Sequence, residues 1–274
     1  KINLLIMDIQ AISAIILYIA ATFALAANVF NIFSEFSKIK WFILFFGLIA
    51  LVLHAEILYQ SIFMQPGLNF GFFIAISVIA WLVALIVLIL SFNQPIQQLL
   101  LVFYPIAAIT IFLEQFIEAE RLLTQEPSMG LRIHMILSIC AYSLLMIGTL
   151  QALLLALQEK LIKTKQVYKV IDVLPPLEVM EKLLIQIIVV GFFLLSLSLI
   201  TGVVFVYDIY EQHLTHKTVL SALAWFIYAI LLWGRWFLGW RGRRIINWVI
   251  GGFISLLLAY TGSKFILEFI LHRV

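Results

Sequence analysis

The stretch Phe70-Gly71-Phe72-Phe73-Ile74-Ala75-Ile76-Ser77-Val78-Ile79-Ala80-Trp81-Leu82-Val83-Ala84-Leu85-Ile86-Val87-Leu88-Ile89-Leu90-Ser91-Phe92 contains no charged side chain. A helix crossing a bilayer needs about 20 predominantly apolar residues, and this run supplies them. It does not alternate between apolar and polar residues, as a lipid-facing β-strand would. Asn93-Gln94-Pro95 then breaks it off, because proline cannot continue a helix and its predecessor is pushed out of helical geometry.

The rest of the chain repeats this pattern. Of 274 residues, 65% are hydrophobic and 11% charged, with a mean hydropathy of +1.15. A soluble domain carries roughly 25% charged residues, so this chain cannot clothe a water-facing surface. In hydrocarbon, backbone polar groups must be satisfied internally. The reading is therefore an all-α, polytopic transmembrane helix bundle. Spans are predicted over 8–33, 40–60, 70–92, 96–118, 129–157, 180–207, 217–238 and 245–271, with Pro105 a possible kink in the fourth. They form a single transmembrane domain over 1–274. The first apolar run is read as a helix, being too long for a signal-peptide core and without a small-residue cleavage site.

Lys and Arg counts set the orientation. Eleven basic residues fall on one side: Lys38, Lys40, Lys160, Lys163, Lys165, Lys169, Lys182, Arg235, Arg241, Arg243 and Arg244. Six fall on the other: Lys1, Arg121, Arg132, Lys217, Lys264 and Arg273. The positive-inside rule then puts both termini outside and makes 158–180 a basic cytoplasmic loop. The net charge of +3 is thus a topological signal, not a nucleic-acid footprint. The Arg241-Gly242-Arg243-Arg244 run suits contact with anionic lipid, or docking of an anion such as haem propionates.

On this topology His54, His134 and His216 lie at one depth near the outer face, His54 close to Tyr59. Intramembrane imidazoles are costly and mark functional sites. Two of them can hold haem iron, and singly they can relay protons. Glu114 and Glu118 sit one turn apart on the same side, with Glu56 in the second span and Asp208 and Glu211 beside His213. They can orient a ligand histidine, accept protons, or form a solvated rim. Trp225 can pack against a flat porphyrin or simply fill the core. Cys140 is the sole cysteine, which excludes an intrachain disulfide and a CxxCH haem-attachment site. No phosphate-binding glycine loop or zinc motif occurs, and no catalytic signature argues for an enzyme.

Several segments together carry a resemblance. They are Ile133-His134-Met135-Ile136-Leu137-Ser138, Leu174-Pro175-Pro176-Leu177-Glu178-Val179-Met180-Glu181, His216-Lys217-Thr218-Val219-Leu220-Ser221, Leu232-Trp233-Gly234-Arg235-Trp236, Gly239-Trp240-Arg241-Gly242-Arg243-Arg244 and Leu258-Ala259-Tyr260-Thr261-Gly262-Ser263-Lys264-Phe265. The chain resembles the YpjD/HemX family of bacterial inner-membrane proteins, within the CcsA/ResC-like cytochrome c assembly superfamily. The resemblance implies a multi-pass inner-membrane protein that handles haem b near the outer face. It implies His134 and His216 as iron ligands, His54 as the alternative partner, and Trp225 and Tyr59 as pocket walls. Partners would be lipid, haem and other cytochrome assembly proteins. The WGxxWxWD stretch of CcsA-like proteins is absent: the corresponding loop reads Tyr207-Asp208-Ile209-Tyr210-Glu211-Gln212-His213-Leu214-Thr215. That favours an accessory or regulatory role over full synthase activity. A proton-coupled transporter using His54, Glu56, Glu114 and Asp208, and a membrane adaptor, are the competing readings.

Overall fold

The charge-free run becomes a helix from Phe72 to Leu90, here α3, and stops at Ser91 before the Asn93-Gln94-Pro95 break. A computed structural model describes residues 2–29, 36–63, 68–69, 71–117, 122–123, 128–164, 174–205 and 215–262. Among these, α1 is Ile2–Val29, α2 Phe36–Phe63, α4 Leu100–Phe116, α5 Met129–Lys163, α6 Leu177–Phe205, α7 Thr215–Phe237 and α8 Arg243–Leu257. All eight carry segments long and apolar enough to cross a membrane, so the chain is a polytopic helical membrane protein. A short 3-10 turn, Gln97–Leu99, leads into α4, which carries Pro105 internally. Leu68–Asn69 and Leu122–Leu123 form a two-residue antiparallel pairing that helical periodicity does not foretell.

Most helix boundaries shift by a few residues, and α5 differs for a physical reason. It runs on to Lys163, past the expected end at 157. Glu159-Lys160-Leu161-Ile162-Lys163 contains no helix breaker, Glu159 and Lys163 are an i,i+4 pair, and cations favour a helix C-terminus. The first part of the expected 158–180 loop is therefore helix, and α6 resumes directly after Pro175-Pro176. At the other end of α5, the Ser128 hydroxyl accepts the Leu131 amide (3.3 Å) as an N-cap. Helix α8 runs on into a π-helical turn, Leu258–Gly262, and the remainder of the expected last span, to 271, lies outside the described residues.

The helices form two compact units: Lys1–Glu126 with 169–174, and Pro127–Tyr168 with Pro175–Val274. In unit 1, α1 and α3 each pack against both α2 and α4, closing a ring of four. Ala11, Ala14, Tyr18, Ala21 and Leu25 line the buried face of α1 at three- and four-residue spacing. Its other face shows Ile12, Ile16 and Phe23, as expected where hydrocarbon is the solvent.

In unit 2, α5 and α7 each pack against both α6 and α8, again a ring of four. Here α5 and α6 meet through glycines on both helices. Side chains built at Gly148 and Gly191 would collide with Ile188 and Leu145, and one at Gly130 with the Phe205 ring. Small residues that let backbones approach are the usual adhesive between membrane helices, where no hydrophobic effect drives association. We expect Gly191→Val to force the α5–α6 seam open and cost about 1–3 kcal/mol. The check is a lower unfolding midpoint in detergent, with Ala222→Val on half-buried ground of α7 as the comparison.

Candidate functional site

His134 lies in the second turn of α5, packed against the C-terminal part of α6. Its Nδ1 is 2.9 Å from the Ser198 carbonyl oxygen and 3.4 Å from Thr201 Oγ1. A carbonyl only accepts, so Nδ1 carries the hydrogen and donates it. That leaves Nε2 as the lone-pair nitrogen of the neutral ring. Ser138 Oγ stands 3.5 Å from it, at the long limit of a hydrogen bond. Ser138 also donates to the His134 carbonyl (2.7 Å) or shares a hydrogen with Ser198 Oγ (2.7 Å). Gly202 gives the ring its room: a Cβ there would stand 2.9 Å from His134 Cε1.

A ring held in this way can serve as a metal ligand. An outer hydrogen bond to a carbonyl fixes the tautomer and aims the other nitrogen outward. His134 as a whole is half-buried. A single imidazole nitrogen of this kind could supply one ligand to a haem iron. Among the described residues no group of three or more His, Cys, Asp or Glu side chains is placed to hold a metal ion.

His216 stands in the first turn of α7. Both α5 and α7 run antiparallel to α6, as the Gly130–Phe205 and Arg235–Glu181 contacts require. His134 and His216 therefore share the end of unit 2 at which α6 finishes. The His216 side chain lies outside the described residues, as do His213, His272, Glu118, Asp208 and Glu211. Trp225 is half-buried in α7, donates from Nε1 to Ser196 Oγ (2.8 Å) and stacks on Phe192 with ring centroids 5.4 Å apart.

His54 sits differently. It belongs to unit 1, is fully buried, and has both ring nitrogens engaged: Nδ1 with Tyr18 Oη (3.2 Å) and Nε2 with Ser77 Oγ (2.9 Å). It presents no free lone pair to a metal. Tyr59 lies one turn beyond it on the exposed face of α2, its ring against Phe63 (5.5 Å). Glu56 is also on the exposed side and accepts from Gln60 Nε2 (2.9 Å).

The Arg241–Arg244 run follows the α7–α8 turn. Glu181 of α6 accepts from Arg235 (2.7 Å) and from the Gly242 amide (3.1 Å), while Arg235 also reaches the Trp240 carbonyl (2.8 Å). Gly239 and Gly242 take positive φ, 65° and 57°, where side chains are strained. The start of α8 is thus closed off by the protein's own carboxylate. Arg241, Arg243 and Arg244 are exposed around it, with Arg244 over the Trp240 ring at 5.9 Å.

Sequence reasoning missed Ser138, Ser198, Thr201 and Gly202 around His134, and Tyr18 and Ser77 around His54. Hydroxyls in apolar spans were the available signal.

Comparison with known proteins now adds the family. The profile described as "Cytochrome C assembly protein" matches residues 41–271. The chain is 32% identical over 226 residues to the "Inner membrane protein YpjD" of Escherichia coli (strain K12), which covers 82% of this chain and 86% of that one. A "Cytochrome c biogenesis protein CcsA" of Gloeobacter violaceus is 30% identical over 93 residues, 33% of this chain and 28% of that one. Another, from Prochlorococcus marinus, is 28% identical over 207 residues, 64% and 65% of the two chains. No solved structure matches.

Nitrogen-15 NMR of histidine-labelled protein in lipid checks the site geometry. The signals lost on His134→Gln should include a protonated Nδ1; a ring protonated on Nε2 alone would contradict the Ser198 hydrogen bond.

Proposed function

The chain belongs to the cytochrome c assembly protein family, and from that premise we propose that it is an inner-membrane protein that binds b-type haem in unit 2. His134 and His216 are the residues that would hold the haem iron, each through an imidazole nitrogen. One observation carries the reading: the Ser198 carbonyl holds His134 Nδ1–H and leaves Nε2 open, at the same end of the unit as His216. By the positive-inside count that end faces outward. The relatives named for cytochrome c biogenesis make haem the cargo to test first.

In this reading each residue has a plain task. Ser198 and Thr201 set the ring angle of His134, and Gly202 keeps the space beside it clear. Trp225, pinned by Ser196, offers a rigid aromatic wall within the same unit. Bound haem supplies an iron porphyrin that can be held, passed on or sensed. Without the tryptophan-rich stretch of CcsA-like proteins, holding or regulating haem is the role assigned, rather than attaching it. His54 and Tyr59 belong to unit 1, and the committed ring nitrogens of His54 leave it out of the ligand pair. Lipid, haem and other cytochrome assembly proteins are the proposed partners.

Absorbance spectra of purified protein test this directly. Wild type, as isolated or after haem addition, should show a Soret band. His134→Ala and His216→Ala should each weaken haem binding at least about 10-fold, and Gly202→Val, which pushes on the His134 ring, about 10-fold. His54→Ala should keep the band. A colourless wild-type protein that takes up no added haem would overturn the proposal.

A further inference from the structure

Unit 1 holds a buried polar chain that haem binding does not use. His54 is its only histidine, and within its four spans Glu56 and Glu114 are the only charged residues. Glu56 points to the exposed face. Both carboxyl oxygens of Glu114 are buried and lack a hydrogen-bond partner among the described residues. Among the described residues, the hydroxyls of Ser77 and Ser61 face it. Ser77 in turn meets His54 Nε2 at 2.9 Å, and His54 Nδ1 meets Tyr18 Oη at 3.2 Å. Beyond Tyr18, the Tyr104 ring lies 5.3 Å away, with its hydroxyl buried over the bare Cα of Gly47 and also without a partner. From Ser61 to Gly47, α2 rises about 20 Å, much of a hydrocarbon core about 30 Å thick.

A carboxyl and an imidazole are an expensive way to fill a core that hydroxyls and amides would satisfy. No lysine or arginine occurs in these four spans to neutralise the carboxylate. What the pair offers, and a structural hydrogen bond does not, is two places for one proton with a hydroxyl between them. We propose that His54, Ser77 and Glu114 form a proton relay inside unit 1, in which one proton is shared between the Glu114 carboxyl and the His54 imidazole by way of the Ser77 hydroxyl, with Tyr18 at the far side.

The transfer balances. With the proton on Glu114, His54 is a neutral ring that accepts the Ser77 hydrogen at Nε2. On transfer the Glu114 O–H bond breaks as the Ser77 oxygen takes the proton. The hydrogen that Ser77 carried passes to Nε2, and the imidazolium donates Nδ1–H to Tyr18 Oη. The products are a carboxylate and an imidazolium separated by one hydroxyl, with no proton gained or lost. Glu114 and Ser61 lie near the end of the unit where α2 and α4 finish, so the carboxyl is the end of the relay on that side.

The test uses full-length protein in liposomes and the His54 ring nitrogens, read by nitrogen-15 solid-state NMR and assigned by their loss in His54→Gln. The relay predicts that Glu114→Gln moves the His54 signals, that Ser77→Ala removes at least half of that effect, and that Ser77→Thr, which keeps the hydroxyl, preserves it. Wild-type His54 signals should also change in Ser77→Ala and not in Ser77→Thr, which serves if Glu114→Gln fails to assemble. His54 signals indifferent to both Glu114→Gln and Ser77→Ala would overturn the relay, as would a Glu114→Gln effect undiminished in Ser77→Ala. Retention of haem in all these variants is expected, so failure of the relay and failure of the haem reading are separately visible.

Discussion

The constraint on which the rest depends is that hydrocarbon offers no hydrogen bonds. Helices answer it for the backbone, and each intramembrane side chain must find its own answer. Ser13, Thr22, Thr149, Ser196 and Thr201 do so cheaply, by donating to a carbonyl one turn back. Groups that cannot do this gather in the interior of their unit. Tyr18, His54 and Ser77 meet in unit 1, and His134 and Ser198 along the α5–α6 seam in unit 2. The two clusters mark where the sequence departs from simple greasiness, and both proposed activities rest on them.

Two intramembrane histidines, one fully buried and one half-buried, thus have opposite availability. His54 is met at both nitrogens by side-chain hydroxyls, groups able to give or take a hydrogen, so it suits proton exchange and not metal binding. His134 is met at Nδ1 by a backbone carbonyl, which can only accept, so its hydrogen is pinned and its other nitrogen is left with a lone pair. The difference lies in the partner atoms, not in depth or exposure alone. It follows from helix spacing: glycine at 202 lets α6 bring a carbonyl to His134, whereas α1 and α3 bring hydroxyls to His54.

The fold was legible in the sequence because hydrocarbon imposes a length and a composition that can be counted, and eight helices stand where eight apolar runs were read. Their ends were less legible. Helix α5 continues through charged residues that look like loop, since a helix outside the bilayer needs no apolar face. The division into two rings of four depends on which faces meet, and nearly every face here is apolar, so periodicity is silent. The histidines were found as isolated polar residues in apolar runs. Their partners Ser77, Ser198 and Gly202 were not, because a serine or glycine in a membrane helix has too many ordinary uses.

Charge at the opposite end of unit 2 is handled with the same economy. A helix N-terminus flanked by three arginines would be an inviting anion site, and the sequence suggested as much for Arg241-Gly242-Arg243-Arg244. In the folded chain, Glu181 reaches from α6 to take both the Gly242 amide and Arg235, so the protein supplies the anion itself. What remains outward are Arg241, Arg243 and Arg244, exposed and free to meet lipid phosphates on a membrane surface. The carboxylate and Arg235 therefore act as a latch between α6, α7 and α8, with Gly239 and Gly242 supplying the backbone turns that let it close. The haem site proposed for His134 lies at the other end of the unit, where the chain sets a carbonyl against one imidazole nitrogen and, among the described residues, no carboxylate against the other.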